Sequence, residues 1–231
     1  MDKAKLAANY TRVLERGAEA AARAGRGPDG WRLVAVTKTV HADVAAALAF
    51  LGATDFGENR VAGLLEKRAA LADLPVIWHF VGHLQTNKVK KVVGAVSLIH
   101  SVDSVRLAAE IDKAAAAAGV VREILLEANV SGEEAKYGLS PAEVPSVAAD
   151  VAKLPHVKLV GLMTMAPIAD DPERARPVFR GLRELADKIA AARLFARLPY
   201  ELSMGMTQDF EVAIEEGATL IRVGSALFAG V

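Results

Sequence analysis

The run Leu33-Val34-Ala35-Val36-Thr37-Lys38 decides the fold. It is short, apolar until its last two positions and β-branched at three of them, so it reads as a strand buried on both faces. Strands of that kind belong to parallel sheets whose faces are covered by helices. Seven more runs of the same character follow, at 53–57, 76–81, 97–101, 123–129, 158–163, 200–203 and 219–223. Stretches able to form helices lie between them, including 42–50, 104–118, 142–153 and 174–193. Ahead of the first strand, 2–24 reads as a helix and Gly25-Arg26-Gly27-Pro28-Asp29-Gly30 as a loop. Eight strands, each followed by a helix, predict an α/β fold of the (β/α)8 TIM-barrel type. The rival is an open doubly wound sheet, and the count of eight favours the barrel. No interdomain linker is evident, so 1–231 is expected to be one barrel domain with an added N-terminal helix.

Composition narrows the function classes. The 231 residues are 52% apolar and 24% charged, a globular balance. Lys plus Arg equals Asp plus Glu at 28 each, which argues against a binder of nucleic-acid backbones. There is no cysteine, so disulfides, thiolate metal sites and cysteine nucleophiles are excluded together. No uncharged apolar stretch of about 18 residues is present, and the N-terminus does not read as a signal peptide. A soluble cytoplasmic protein is the expectation.

In a (β/α)8 barrel the working residues stand at the C-terminal strand ends. Lys38 closes the first strand. A lysine there is expected to be partly desolvated, which frees its amine for attack on an aldehyde; the plainer reading is a lysine snorkelling to the rim. Ser203-Met204-Gly205-Met206-Thr207 and Gly224-Ser225 follow the seventh and eighth strands, where many barrels hold a phosphate. Each alone is an ordinary turn; together they make a phosphate cup of hydroxyls and backbone N–H groups plausible. Arg222 shares a strand face with Gly224. It reads either as a rim ion pair or as a donor to the nitrogen of a pyridine ring, which it would keep unprotonated because arginine does not give up its proton. Asn59 is a donor to a ring oxygen or a helix cap. His79 and His83 have the i, i+4 spacing of a helical metal pair, but they fall on a strand end and no third ligand is evident, so no metal is expected. Lys136, in the loop 131–138, is a second candidate amine for which a solvated role is favoured.

These residues occur in segments that carry a resemblance. They are Val34-Ala35-Val36-Thr37-Lys38, Phe56-Gly57-Glu58-Asn59-Arg60, the run from His79 to Lys88, Gly161-Leu162-Met163, Leu202-Ser203-Met204-Gly205-Met206 and Arg222-Val223-Gly224-Ser225-Ala226-Leu227-Phe228. In this order, over almost the whole chain, they resemble the pyridoxal phosphate homeostasis protein family, also described as the YggS/PROSC family. The resemblance implies a fold-type III barrel like the N-terminal domain of alanine racemase. It implies pyridoxal 5′-phosphate as cofactor, held as a Schiff base on Lys38. The implied contact set is Lys38, Asn59, His79, Met163, Ser203, Gly205, Arg222, Gly224 and Ser225, with phosphate near Ser203, Gly224 and Ser225 and the ring nitrogen near Arg222. The implied role is intracellular balance of vitamin B6 and of amino and keto acids, without a settled catalytic activity. PLP-dependent apo-enzymes are the implied recipients. The sequence departs from the family pattern at Thr207-Gln208 and Ser225, where hydroxyls survive but a charge at Gln208 does not.

Two enzyme readings stand beside the carrier. A fold-type III racemase needs a second base, a tyrosine of an extra β-domain; the chain closes at Val231 just after the eighth strand, and Tyr10, Tyr137 and Tyr200 show no claim to that role. A lysine aldolase places its lysine on a later strand than the first. A cofactor-binding monomer, rather than an enzyme, is therefore the expectation.

Overall fold

The computed structural model describes residues 1–133 and 137–231. Its strands are β1 Arg32–Val36, β2 Asp55–Glu58, β3 Ile77–Phe80, β4 Leu98–Val102, β5 Arg122–Glu127, β6 Val157–Met163, β7 Glu201–Ser203 and β8 Leu220–Val223. They pair in chain order and close through β1 on β8, with every neighbour parallel. The barrel is therefore the observed fold and the open sheet is not. Each observed strand overlaps one of the eight apolar runs, with ends displaced by a few residues, as expected where burial rather than a turn marks the boundary.

Two apolar clusters separate the inside of the barrel from its coat. Val34, Leu98, Leu125, Val160, Met163 and Leu220 form a small inner cluster. The larger cluster lies between strands and helices and includes Phe56, Phe80, Ile99, Ile124, Phe179 and Phe210. Burial of both strand faces is what the unbroken apolar runs required.

The α-helices of the described residues are α1 Lys3–Arg23, α2 Ala42–Phe50, α3 Val61–Ala70, α4 Val89–Val93, α5 Val105–Ala117, α6 Val144–Val151, α7 Arg176–Ala191, α8 Phe210–Glu215 and α9 Ser225–Phe228. Helix α1 begins at Asp2, whose side chain accepts from the Lys5 N–H at 3.0 Å. It packs against α8 and α9, and Asn9 Nδ2 donates to the carbonyls of Leu227 and Ala229 at 3.1 Å each, tying the C-terminal turn down. Ser104 caps α5 by accepting from Leu107 N–H at 3.2 Å. The stretch expected as one helix over 174–193 is a 3-10 turn, Pro172–Ala175, followed by α7. Pro177 at the start of α7 lacks the N–H that a continuous helix would need there. Gly161 on β6 is required by close approach, since an added Cβ would overlap the carbonyl oxygen of Glu201 on β7. Among the described residues, no helix is long and apolar enough to cross a membrane.

Candidate functional site

A cavity of about 590 Å³ opens at the C-terminal mouth of the barrel, a size suited to a small-molecule ligand. Its wall is assembled from strand ends. Strand β1 stops at Val36, and Thr37 is fully buried beneath the mouth. The Thr37 hydroxyl donates to Glu58 Oε1 at 2.7 Å, and Lys67 Nζ donates to the Thr37 carbonyl at 2.8 Å. Lys67 and Glu58 are themselves a buried ion pair at 2.5 Å. The backbone entering Lys38 is thus clamped from two sides, and Lys38 emerges from it into the cavity wall. Its side chain is exposed. The expected desolvation of Lys38 is corrected here: the strand ends two residues earlier than expected, so Lys38 stands beyond the buried layer.

Asn59 follows β2 and is half-buried, with its Oδ1 buried and unpartnered among the described residues. Gly82 presses on it from the β3 loop; an added Cβ would sit 2.5 Å from the Asn59 carbonyl oxygen. Beyond Gly82, the exposed His83 ring stacks on Tyr137 with centroids 4.3 Å apart. Its Nδ1 lies 3.6 Å from Asp103. Tyr137 reaches the cavity because the loop after β5 folds back: Leu139 N–H donates to the Glu127 carbonyl and Asn129 N–H to the Leu139 carbonyl, both at 2.8 Å. Lys136, in the same loop, lies outside the described residues.

At the cavity floor stands Arg222, which is 5% exposed. Its Nη1 donates to Ser203 Oγ at 2.6 Å and its Nη2 to the Thr164 carbonyl at 3.0 Å. Burial pushes its guanidinium down to about 10, against the opposing charges of Glu127 and Asp209, so it remains a cation at neutral pH. Glu127 is buried in the same wall. Burial pushes its carboxyl up to about 7 despite the Arg222 charge, and Asp103 adds to the rise. On the far rim, Ser225 Oγ donates to Thr207 Oγ1 at 3.0 Å, and Ala226 N–H approaches the same oxygen at 3.4 Å. The site therefore offers an amine, a hydroxyl-lined rim, a fixed cation and a carboxyl titrating near neutrality.

Of the residues expected from sequence, Lys38, Asn59, Arg222, Gly224 and Ser225 share this wall. His79, Met163, Ser203 and Gly205 do not line it. His79 and Ser203 lie deeper, each bonded to His100. Met163 belongs to the inner apolar cluster. Gly205 faces α8, where an added Cβ would meet the Ala213 Cβ at 2.5 Å. His79 and His83 do not converge: one is inside the barrel and the other on its rim. Among the described residues, no group of three or more His, Asp or Glu is placed to hold a metal. Glu127 and Tyr137 were absent from the expected set. Glu127 carried a signal, since it stands near the end of the fifth apolar run; Tyr137 carried none, because only the loop's return brings it to the mouth.

The model of the alanine racemase N-terminal domain family matches residues 2–230. A pyridoxal phosphate homeostasis protein of Aquifex aeolicus is 49% identical over 94% of this chain and 95% of its own length. One from Pseudomonas aeruginosa is 39% identical over 96% of this chain and 94% of its own. The solved structure of PipY from Synechococcus elongatus, with PLP bound, superposes with a TM-score of 0.81 at 34% identity, covering 94% of this chain and all (100%) of that one.

Proposed function

The chain belongs to the pyridoxal phosphate homeostasis protein family, and from that premise we propose that it holds pyridoxal 5′-phosphate in the mouth cavity as a binding protein. The observation that carries this reading is the convergence of Lys38, Arg222, Thr207 and Ser225 on one cavity. The residues fit the group. Asn59 brings a buried amide oxygen without a partner among the described residues, and an amide can turn either its donor or its acceptor toward a ring substituent. Thr207 and Ser225 hydroxyls suit phosphate oxygens. When bound, the cofactor supplies an aldehyde that condenses with a lysine amine, releasing one water. Lys38 would be the point of attachment, and Arg222 would meet the ring nitrogen, to which it could only donate.

The reading extends to a role in vitamin B6 balance, with PLP-dependent apo-enzymes as recipients and a cytoplasmic monomer as the working form. It is supported by the name that the relatives carry. A second reading, slow racemase-like proton exchange, is favoured by one observation: Tyr137 and the near-neutral carboxyl of Glu127 line the same cavity.

Purified protein is mixed with pyridoxal 5′-phosphate, its absorbance spectrum recorded, and the complex reduced with borohydride and mapped by mass spectrometry. The expected result is a near-visible band and a modified peptide containing Lys38, both lost in Lys38→Ala. Absence of any bound cofactor would overturn the reading. Solvent deuterium appearing at Cα of an added amino acid, reduced in Tyr137→Phe, would establish the second activity beside the first.

A further inference from the structure

The interior of the barrel carries polar residues that the cavity does not use. Asp55, His79, His100 and Ser203 are all at most 3% exposed, yet they come from four different strands, β2, β3, β4 and β7. They are bonded in series. Arg222 Nη1 donates to Ser203 Oγ at 2.6 Å; Ser203 Oγ lies 2.8 Å from His100 Nδ1; His100 Nε2 lies 2.9 Å from His79 Nδ1; and His79 Nε2 lies 3.1 Å from Asp55 Oδ1. We propose that these four residues form one directed hydrogen-bond relay that fixes the orientation in which Arg222 meets the cavity. In it they are positioning residues, acting on a ligand only through Arg222. The inference rests on the pyridoxal phosphate reading for its consequence, but not for the relay itself.

The direction of the relay follows from its two ends. Arginine has five donors and no acceptor, so Ser203 Oγ must accept from it. At the other end, burial pushes the Asp55 carboxyl up, but the hydrogen bonds from His79 and Thr54, any charge on His79 and the charge of Arg32 outweigh it and hold Asp55 below the usual range. An ionised carboxylate only accepts, so His79 Nε2 carries a hydrogen. Between these ends only one arrangement satisfies every group. The Ser203 hydroxyl donates to His100 Nδ1, His100 Nε2–H donates to His79 Nδ1, and His79 Nε2–H donates to Asp55. Both rings are then neutral, with the proton on Nε2.

The reversed arrangement fails on two counts. His100 would donate to Ser203, whose own hydrogen would be left without an acceptor in a fully buried site. His79 would also need a second proton, which adds a cation between Arg222 and Arg32. Burial, followed by any charge on His79 and by the charges of Arg222 and Arg32, holds His100 well below the usual histidine range, so His100 is neutral in either arrangement. The charged groups around the relay are Arg32 on β1, Glu127 on β5 and Glu201 on β7.

The relay accounts for an otherwise odd feature. Arg222 is a buried cation that makes no ion pair among the described residues; its two bonds go to a hydroxyl and a carbonyl. Each link of the relay polarises the next toward the Asp55 carboxylate, so negative charge is felt at Ser203 without a carboxylate standing at the cavity floor.

The test begins on cofactor-free protein labelled with 15N-histidine. At neutral pH, long-range 1H–15N spectra should show two of the five histidines as neutral Nε2–H tautomers. His41 and His83 are the exposed references. In Ser203→Ala, Nδ1 of His100 should shift toward the position of a nitrogen accepting no bond, while His79 keeps its tautomer. A buried ring protonated on Nδ1, or an imidazolium at neutral pH, would overturn the relay. The second arm adds pyridoxal 5′-phosphate to wild type and Ser203→Ala at matched thermal stability. A shifted absorbance maximum of the bound cofactor is expected, and an unchanged one would overturn the positioning role. If wild type takes up no cofactor, the functional reading fails while the tautomers still decide the relay.

Discussion

The two ends of the barrel hold comparable sets of polar side chains and treat them in opposite ways. At the N-terminal end, Arg32 bonds Asp55 at 3.0 Å and Glu201 at 3.1 Å, and Arg197 bonds Glu201 at 3.0 Å and Glu123 at 3.2 Å. Thr54 and Thr219 hydroxyls close the remaining carboxylate oxygens of Asp55 and Glu201, at 2.7 and 2.5 Å. The carboxylates there are matched by donors, although Trp31 Nε1, just before β1, and Arg122 Nε, at the first residue of β5, are buried without a partner among the described residues. At the C-terminal mouth, Lys38 is exposed; among the described residues the Asn59 amide oxygen has no partner, and Glu127 and Arg222 attract each other without an ion pair. Mutual satisfaction stabilises a fold; polar capacity left facing a cavity is available to a ligand. The difference teaches where to look for function in this molecule, and it can be broken or sharpened by substitution.

The largest effect is expected at Lys38. Lys38→Ala should abolish covalent retention of pyridoxal 5′-phosphate after borohydride reduction while changing unfolding free energy by less than about 0.5 kcal/mol, as for an exposed side chain. A substantial loss of stability would remove Lys38 from the ligand-facing set.

Next comes the clamp beneath it. Lys67→Met leaves Glu58 buried without its cation, and denaturant titration should show a loss of about 3–5 kcal/mol. Combining it with Glu58→Gln should recover a large part of that loss. Failure to recover would mean that the pair does more than neutralise itself.

Glu127 gives a smaller, pH-dependent signal. Its carboxyl is raised to about 7 from an unfolded value near 4.5. Between those values the native state binds the extra proton, so this group's contribution to stability is present at low pH and declines as pH rises through the window. The stability difference between wild type and Glu127→Gln, followed by urea unfolding from about pH 4.5 to 7.5, should therefore fall by about 1–3 kcal/mol. A flat difference would place Glu127 with the satisfied carboxylates of the other end.

The smallest effect is expected at Arg197, whose side chain is 40% exposed. Arg197→Ala should cost under about 1 kcal/mol and leave cofactor retention unchanged. A change in retention would show that the two ends are coupled.

Legibility in the sequence followed the reach of each physical signal. The unbroken run Val34-Ala35-Val36 announced a doubly covered strand because burial from both sides leaves no polar position in it. Lys38, Gly224 and Ser225 were legible because a strand end fixes which residues stand at the mouth. The depth of a side chain was not legible: Ser203 is the last residue of its strand, as Lys38 nearly is of its own, yet Ser203 is turned under the floor and bonded to Arg222. His100 carried no signal at all, for its partners lie on strands 21 residues earlier and 103 residues later.

The sequence by itself determined the barrel, the order of its strands and, in Lys38, Asn59, Arg222, Gly224 and Ser225, part of the set of residues at its mouth, because period, burial and strand ends are local properties. Tertiary structure alone decided which polar groups find partners across the barrel. It exposed Lys38, returned Tyr137 to the cavity, and joined Arg222 to Asp55 through Ser203, His100 and His79. Hydrogen bonds between strands depend on relative depth and register, which no single segment encodes.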